Sequence, residues 1–365
     1  MKQAFLRSVF GVAALAVSSL AWAQPTVRIY NWIEYLPPQV LKDFEQETGI
    51  RPIYDVFDSV EILESKLLTG NSGYDVVFPG SSNIGKLIQA KALEPLDRAQ
   101  LPNWSHLDES AMKNLEAVGD TGNQYAVPYL LGTTIIGYNV DMVQKALGED
   151  ADMGSWDAIF KPENISKLAT CGVGFLDAAT EIIPIALHYQ GLDPNSQKAS
   201  DYKQAEQAVL KIRPYVSYFN SSRYGMDLAN GDICAAVGWS GGFTLAKQLA
   251  NVAGKGVKIK MVVPKEGAPT WSDVIAIPLN APNAKEAHVF INYILRPDVI
   301  AKISNKIGYQ NPNKDATALV DESLRNDPTI YIPEAERSNL YVLEPIPSSI
   351  ERVRTRTWTS IKSNR

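Results

Sequence analysis

Short apolar runs alternate with amphipathic helical stretches along nearly the whole chain, and this alternation restricts the fold more than any other feature. Val27 to Asn31 reads as a strand, and Pro38 then opens a helix through Glu47, with Gly49 in the stop position. Pro52 to Phe57 reads as a second strand and leads into a helix from Val60 to Leu68. Tyr74 to Phe78 is a third strand, closed by Pro79-Gly80-Ser81-Ser82-Asn83 and another helix. Tyr125 to Tyr138 is a long extended region that contains Gly132 and Gly137. Further strands follow at Gly172 to Leu176, Val216 to Phe219 and Ile233 to Gly238, each leading into a helical pattern. Val257 to Val263 and Val274 to Pro278 complete the strands, and Ala284 to Ile307 reads as helical. The pattern predicts an α/β protein with mainly parallel sheets.

Residues 1–23 stand apart from that pattern. Lys2 and Arg7 give a positive start, Val9 to Leu20 an apolar run, and Ala21-Trp22-Ala23 a small-x-small site before Gln24. This is the signature of a Sec-type signal peptide, too short to be a stable membrane span. No cysteine lies near the cleavage site, so the mature protein is expected in the periplasm without a lipid anchor. Losing Lys2 and Arg7, and no acid, takes the formal charge from -5 to -7. A mildly acidic chain suits cationic ligands and argues against nucleic acid. Arg352, Arg354 and Arg356 alternate with Val353 and Thr355, and they read as a solvated face or a docking patch.

The remaining chain of about 340 residues exceeds a single core and predicts two domains. No repeat or flexible linker separates them, so the lobes are expected to share several extended crossings, with a hinge near Gly132. Cys171 and Cys234 are an even count in an oxidising compartment, which favours a disulfide; two buried thiols are the alternative.

Three places could carry chemistry. Tyr30-Asn31-Trp32-Ile33-Glu34-Tyr35 clusters aromatics around a carboxylate at a strand end, where clefts of open α/β sheets form. Such a cluster attracts cations through ring faces and direct charge pairing. Trp239 and Trp271 occupy similar positions, with Glu181 and Asp273 nearby in the pattern. Helix N-termini at those strand ends repel a cation, so carboxylates are needed to reverse the local field. Gly80-Ser81-Ser82-Asn83 could cradle an anion or serve as an ordinary helix cap. Gly238-Trp239-Ser240-Gly241-Gly242 formally matches the G-x-S-x-G nucleophile elbow, with Asp273 and His288 as triad partners. His288, however, sits in an amphipathic helical pattern and there is no HGGG-type oxyanion loop, so the hydrolase reading is secondary. No metal, Walker or dinucleotide motif is present, and no cofactor is expected.

These residues, with FEQETGI, IYDVFDS, KPENISKL, CGVGFLDA, LANGDICAAVGWSG, VPKEGAP, NYILRPDV and RVRTRTWTSIKS, resemble bacterial periplasmic polyamine-binding proteins of ABC transporters. The resemblance runs over nearly the whole mature chain. It implies a type II-like periplasmic binding protein: two lobes, each a mixed, mainly parallel sheet with flanking helices, closing a hinged cleft over one polyamine. Residues 24–131 and 253–308 would form the first lobe, and 132–252 with 309–365 the second. It further implies delivery of the ligand to an inner-membrane ABC permease, no catalysis, and a monomer. Carried over by position, Trp32, Glu34, Tyr35, Ser82, Glu181, Trp239, Trp271, Asp273 and Tyr309 are the implied ligand contacts, and Cys171 and Cys234 the implied disulfide.

One departure bears on the ligand. Gly242 stands where putrescine-binding members carry an Asp, and its loss is expected to remove an ammonium partner and open space. Trp271 and Glu34 resemble the choices of spermidine-binding relatives, whereas Ala178 does not. Spermidine is therefore expected to bind more tightly than putrescine.

Overall fold

A computed structural model describes residues 24–363. The expected signal peptide and cleavage site, and the expected absence of lipid attachment, fall outside the described residues. The strands are β1 (Thr26–Trp32), β2 (Arg51–Phe57), β3 (Val76–Val77), β4 (Leu93–Glu94), β5 (Ala126–Asn139), β6 (Val173–Phe175), β7 (Tyr218–Phe219), β8 (Ala235–Trp239), β9 (Ile259–Val262), β10 (Ala268–Pro278) and β11 (Leu340–Val342). They form one mixed ladder in the order β2-β1-β3-β10-β5-β8-β6-β7, with β4 and β11 on β10 and β9 on β5.

Local chemistry explains most boundaries. Pro38 starts the first helix, and Gly49 ends it in the left-handed region (φ 70°), its N–H donating to the Glu45 carbonyl. That helix buries Val40 and Phe44 against the sheet. The Ser59 hydroxyl caps the Val60–Leu68 helix by accepting from the Ile62 N–H. Ala284 to Ile307 is two helices, Ala284–Ile294 and Pro297–Ile307, where one was expected. Pro297 excludes the helical region for the residue before it, and Arg296 is extended (φ -65°, ψ 134°).

Parallel pairing holds within each half, β1 with β2 and β3, and β6 with β7 and β8. The long strands between them run antiparallel. β5 pairs β10 through Ala126 to Thr133, then β8 and β9 from Thr134 onward. One strand thus serves two hydrophobic cores. The first holds Val27, Ile29, Phe44, Ile275 and Phe290; a second face of the same half buries Leu63, Val77 and Ile84. The other core holds Trp156, Phe175, Ile183, Val237 and Phe243.

At two segments the cores group differently from the expected division. Ile259 packs with the second core because β9 pairs with the far half of β5. Tyr309, Ala316, Val320, Leu324 and Ile330 pack with the first. Asn311 and Asn313 tie that stretch down by donating to the Ser304 hydroxyl (2.9 Å) and the Leu295 carbonyl (2.8 Å). The Ser348–Ser363 helix returns to the second core through Ile350, Trp358 and Ile361.

Cys171 and Cys234 form a disulfide within the second half, Cα atoms 5.5 Å apart, at the start of the paired strands β6 and β8. The two cysteines are 63 residues apart in sequence, and closing a loop of that length stabilises the fold by about 4 kcal/mol on chain-entropy grounds.

Candidate ligand site

The register of the crossing strands brings the site together. Trp271 pairs with Gly132, and Thr134 with Trp239. Paired residues face the same way and alternate residues share a face, so these four lie on one face of the sheet. Asp273 follows two residues after Trp271 and bridges to Gly80.

Asp273 is buried, and the Tyr35 hydroxyl donates to its Oδ2 at 2.6 Å. Burial pushes the Asp273 carboxyl up to about 7; the Tyr35 hydrogen bond works against that shift, and the charge of Glu181 adds to it. Tyr35 is itself held in place: the Tyr129 hydroxyl donates to its carbonyl (2.8 Å), and its ring meets Tyr129 and Tyr309 edge-on at 5.8 and 5.5 Å. Tyr309 in turn meets Trp271 at 5.4 Å. A continuous chain of aromatic rings therefore walls the Asp273 carboxylate.

Glu181 comes from the other half, in the first turn of the Ala179–Tyr189 helix. The Thr134 hydroxyl donates to Oε2, and the Trp239 indole N–H to Oε1 at 3.3 Å. Burial raises the Glu181 carboxyl despite these bonds. The Tyr224 hydroxyl fixes the Trp239 backbone, meeting both its N–H and its carbonyl at 3.1 Å.

Two carboxylates, one from each half, thus lie close enough for the charge of Glu181 to raise Asp273, and among the described residues neither has a salt-bridge partner. Such an arrangement is costly until a cation enters. Its chemistry suits a ligand with positive ends and an apolar middle that can lie against rings.

The model of the bacterial extracellular solute-binding proteins matches residues 39–331. The chain belongs to this family. Among its relatives, the putrescine-binding periplasmic protein PotF of Escherichia coli is 48% identical over 96% of this chain and 95% of its own. The putrescine-binding periplasmic protein SpuD of Pseudomonas aeruginosa is 47% identical over 98% and 96%. The spermidine/putrescine-binding periplasmic protein of E. coli is 34% identical over 89% and 88%. A putative spermidine/putrescine ABC transporter structure from Listeria monocytogenes superposes with a TM-score of 0.83 at 29% identity, covering 93% of this chain and 99% of that one. The family resemblance and the two-lobed α/β fold read from the sequence are borne out.

As a solute-binding protein, the chain is not an enzyme, and the residues of the hydrolase reading are engaged elsewhere. His288 Nε2 accepts the Asp97 N–H (2.9 Å) while Nδ1 donates to the Ala284 carbonyl (2.7 Å). Ser240 is buried, with its Oγ 3.4 Å from the Thr133 N–H as acceptor.

The remaining implied contacts divide. Trp32 packs on Phe57 (4.5 Å) at the end of β1, with its indole nitrogen buried and unpaired. Ser82 is half-buried at the start of the Ser81–Gln89 helix; a Cβ placed on Gly80 would lie 3.8 Å from Asp273 Oδ1 and 4.0 Å from Ser82 Oγ, so both flank that glycine. Glu34 is exposed, in a turn with φ 58°, and joins neither carboxylate.

Gly242 corrects an expectation. A Cβ there would lie 2.0 Å from the Tyr224 hydroxyl, so the position is filled by Tyr224 and no extra space opens. Thr134, Tyr129 and Tyr224 shape the site without having stood out in the sequence. A surface cavity of about 720 Å³ beside the disulfide, lined by residues such as Lys145, Arg223 and Asp232, shares no residue with this cluster.

Proposed function

We propose that this solute-binding protein captures a polyamine between its two halves in the periplasm and hands it, as a monomer, to an inner-membrane ABC permease. The observation that carries the reading is the carboxylate pair of buried Asp273 and half-buried Glu181, one from each half, lined by aromatic rings and, among the described residues, without a salt-bridge partner for either. Trp271, Tyr309, Trp239 and Trp32 offer faces to the methylene chain, Tyr35 and Ser82 offer hydroxyls, and Glu34 stays at the exposed rim. The putrescine and spermidine named for the relatives have this chemistry.

Between those two, putrescine is the ligand we place first. Two carboxylates match two ammonium groups, Tyr224 occupies the space expected at Gly242, and the two relatives above 45% identity are named for putrescine. Spermidine remains the second reading, on the side chain of Trp271.

Calorimetric titration of ligand-stripped mature protein with putrescine, cadaverine, spermidine and glutamate tests both points. One-to-one putrescine binding, at least as tight as spermidine, is expected, with none for glutamate. Spermidine well ahead would keep the polyamine and restore the expectation from the sequence; no polyamine binding would end the proposal.

A further inference from the structure

Tyr341 lies on β11, far along the chain from the other residues of the site. β11 pairs in parallel with β10, Pro269 with Tyr341, so Tyr341 stands on the face of β10 that also carries Trp271. Its ring packs on His188, centroids 4.5 Å apart. His188 follows Glu181 by seven residues on one helix, a spacing close to two turns that puts both on the same side. Tyr341 therefore sits between the ring wall and the helix face that presents Glu181.

The Tyr341 hydroxyl is buried and has no hydrogen-bond partner. Leaving a buried hydroxyl unpaired is costly, so a partner absent from the protein itself is implied. Burial and the charge of Glu181 both raise the phenol above its ordinary range, so it stays protonated. The Trp271 indole nitrogen is buried and unpaired on the same face, but it can only donate. An ammonium also only donates, and a phenol can accept from it.

We propose that the Tyr341 hydroxyl is a ligand contact, accepting an N–H from the ammonium group held at Glu181. The assignment rests on the polyamine reading above. It makes the segment after Asn339 part of the site, a role that no resemblance of the aromatic-acidic motifs implied.

Tyr341→Phe tests it, because phenylalanine keeps the ring on His188 and removes only the oxygen. Putrescine titration is run on wild type, Tyr341→Phe, Glu181→Gln and the double variant, with weak binders read by competition, and ligand-free melting is recorded for each. The expected result is about a tenfold loss for Tyr341→Phe with an unchanged or higher melting temperature, shrinking to less than about twofold in the Glu181→Gln background. An unchanged affinity for Tyr341→Phe overturns the assignment while leaving the polyamine reading intact. An equal loss in both backgrounds also overturns it, as a structural effect. Failure of the wild type to bind putrescine or spermidine overturns the polyamine reading, and this assignment with it.

Discussion

Asp273→Asn is expected to weaken putrescine binding by two to three orders of magnitude. Truncating one partner of a buried, hydrogen-bonded charge pair costs about 2–5 kcal/mol, much of it from the ammonium left unpaired. The amide keeps the shape and can still meet the Tyr35 hydroxyl, so the loss isolates the charge. Affinity of the wild type should also fall as pH drops below about 7, because a carboxyl with that pKa must shed its proton to pair with a cation.

The ligand-free protein should respond in the opposite direction. The folded carboxyl is raised to about 7 from an ordinary 3.8, so the native state binds the proton more tightly than the unfolded chain. Stability contributed by this group is present below pH 4 and lost as pH rises toward 7, a swing on the order of 4 kcal/mol. Asp273→Asn should therefore raise the ligand-free melting temperature at pH 8 and leave it nearly unchanged at pH 4. Melting curves with equal shifts at both values would show that the carboxyl titrates normally.

Gly132→Ala is the second large effect. A Cβ at Gly132 would lie 2.3–2.9 Å from three carbons of the Trp271 indole, and the two nearest, Cζ2 and Cη2, lie in the outer ring that phenylalanine lacks. The tryptophan must leave its seat, and with it the edge contacts that run through Tyr309 to Tyr35. Displacements of this kind cost about 1–3 kcal/mol, so a ten- to hundredfold loss of polyamine affinity is expected. Trp271→Phe in the same chain should recover most of it, measured against Trp271→Phe alone. If the double variant were no better than Gly132→Ala, the glycine would be serving the backbone and not the ring. Gly132 was expected as a hinge; its close approach to Trp271 gives it a steric reason to be glycine.

The strand-helix alternation made the architecture legible, since periodicity reports which face of each element is buried. Val27, Ile29, Val40 and Phe44 are core for that reason. What failed to show were features without periodicity. β11 is three residues in a proline-rich tail, and the Tyr309–Ile330 stretch is fastened by side-chain amides of Asn311 and Asn313. The split at Pro297 was hidden because the apolar spacing continues on both sides of it.

In the site, Asp273, Glu181, Tyr35, Trp239, Trp271 and Tyr309 could be named because aromatic and acidic residues at strand ends are conspicuous, and the resemblance placed them. Thr134 gave no signal: in an apolar extended run a threonine reads as an ordinary β-branched strand former. Glu34 stands in the sequence as a carboxylate like the other two, and nothing there shows that it lies exposed in a turn with a positive φ, apart from Asp273 and Glu181. Gly242 misled because a missing side chain looks like a gap until the Tyr224 hydroxyl is seen to fill it.

The most direct test is a crystal structure of the mature protein with putrescine. The account predicts one molecule between the halves, one ammonium within hydrogen-bond reach of Asp273 and the other of Glu181, with its methylenes against Trp271 and Tyr309. Putrescine bound in the cavity beside the disulfide, or between the halves with neither carboxylate engaged, would contradict it.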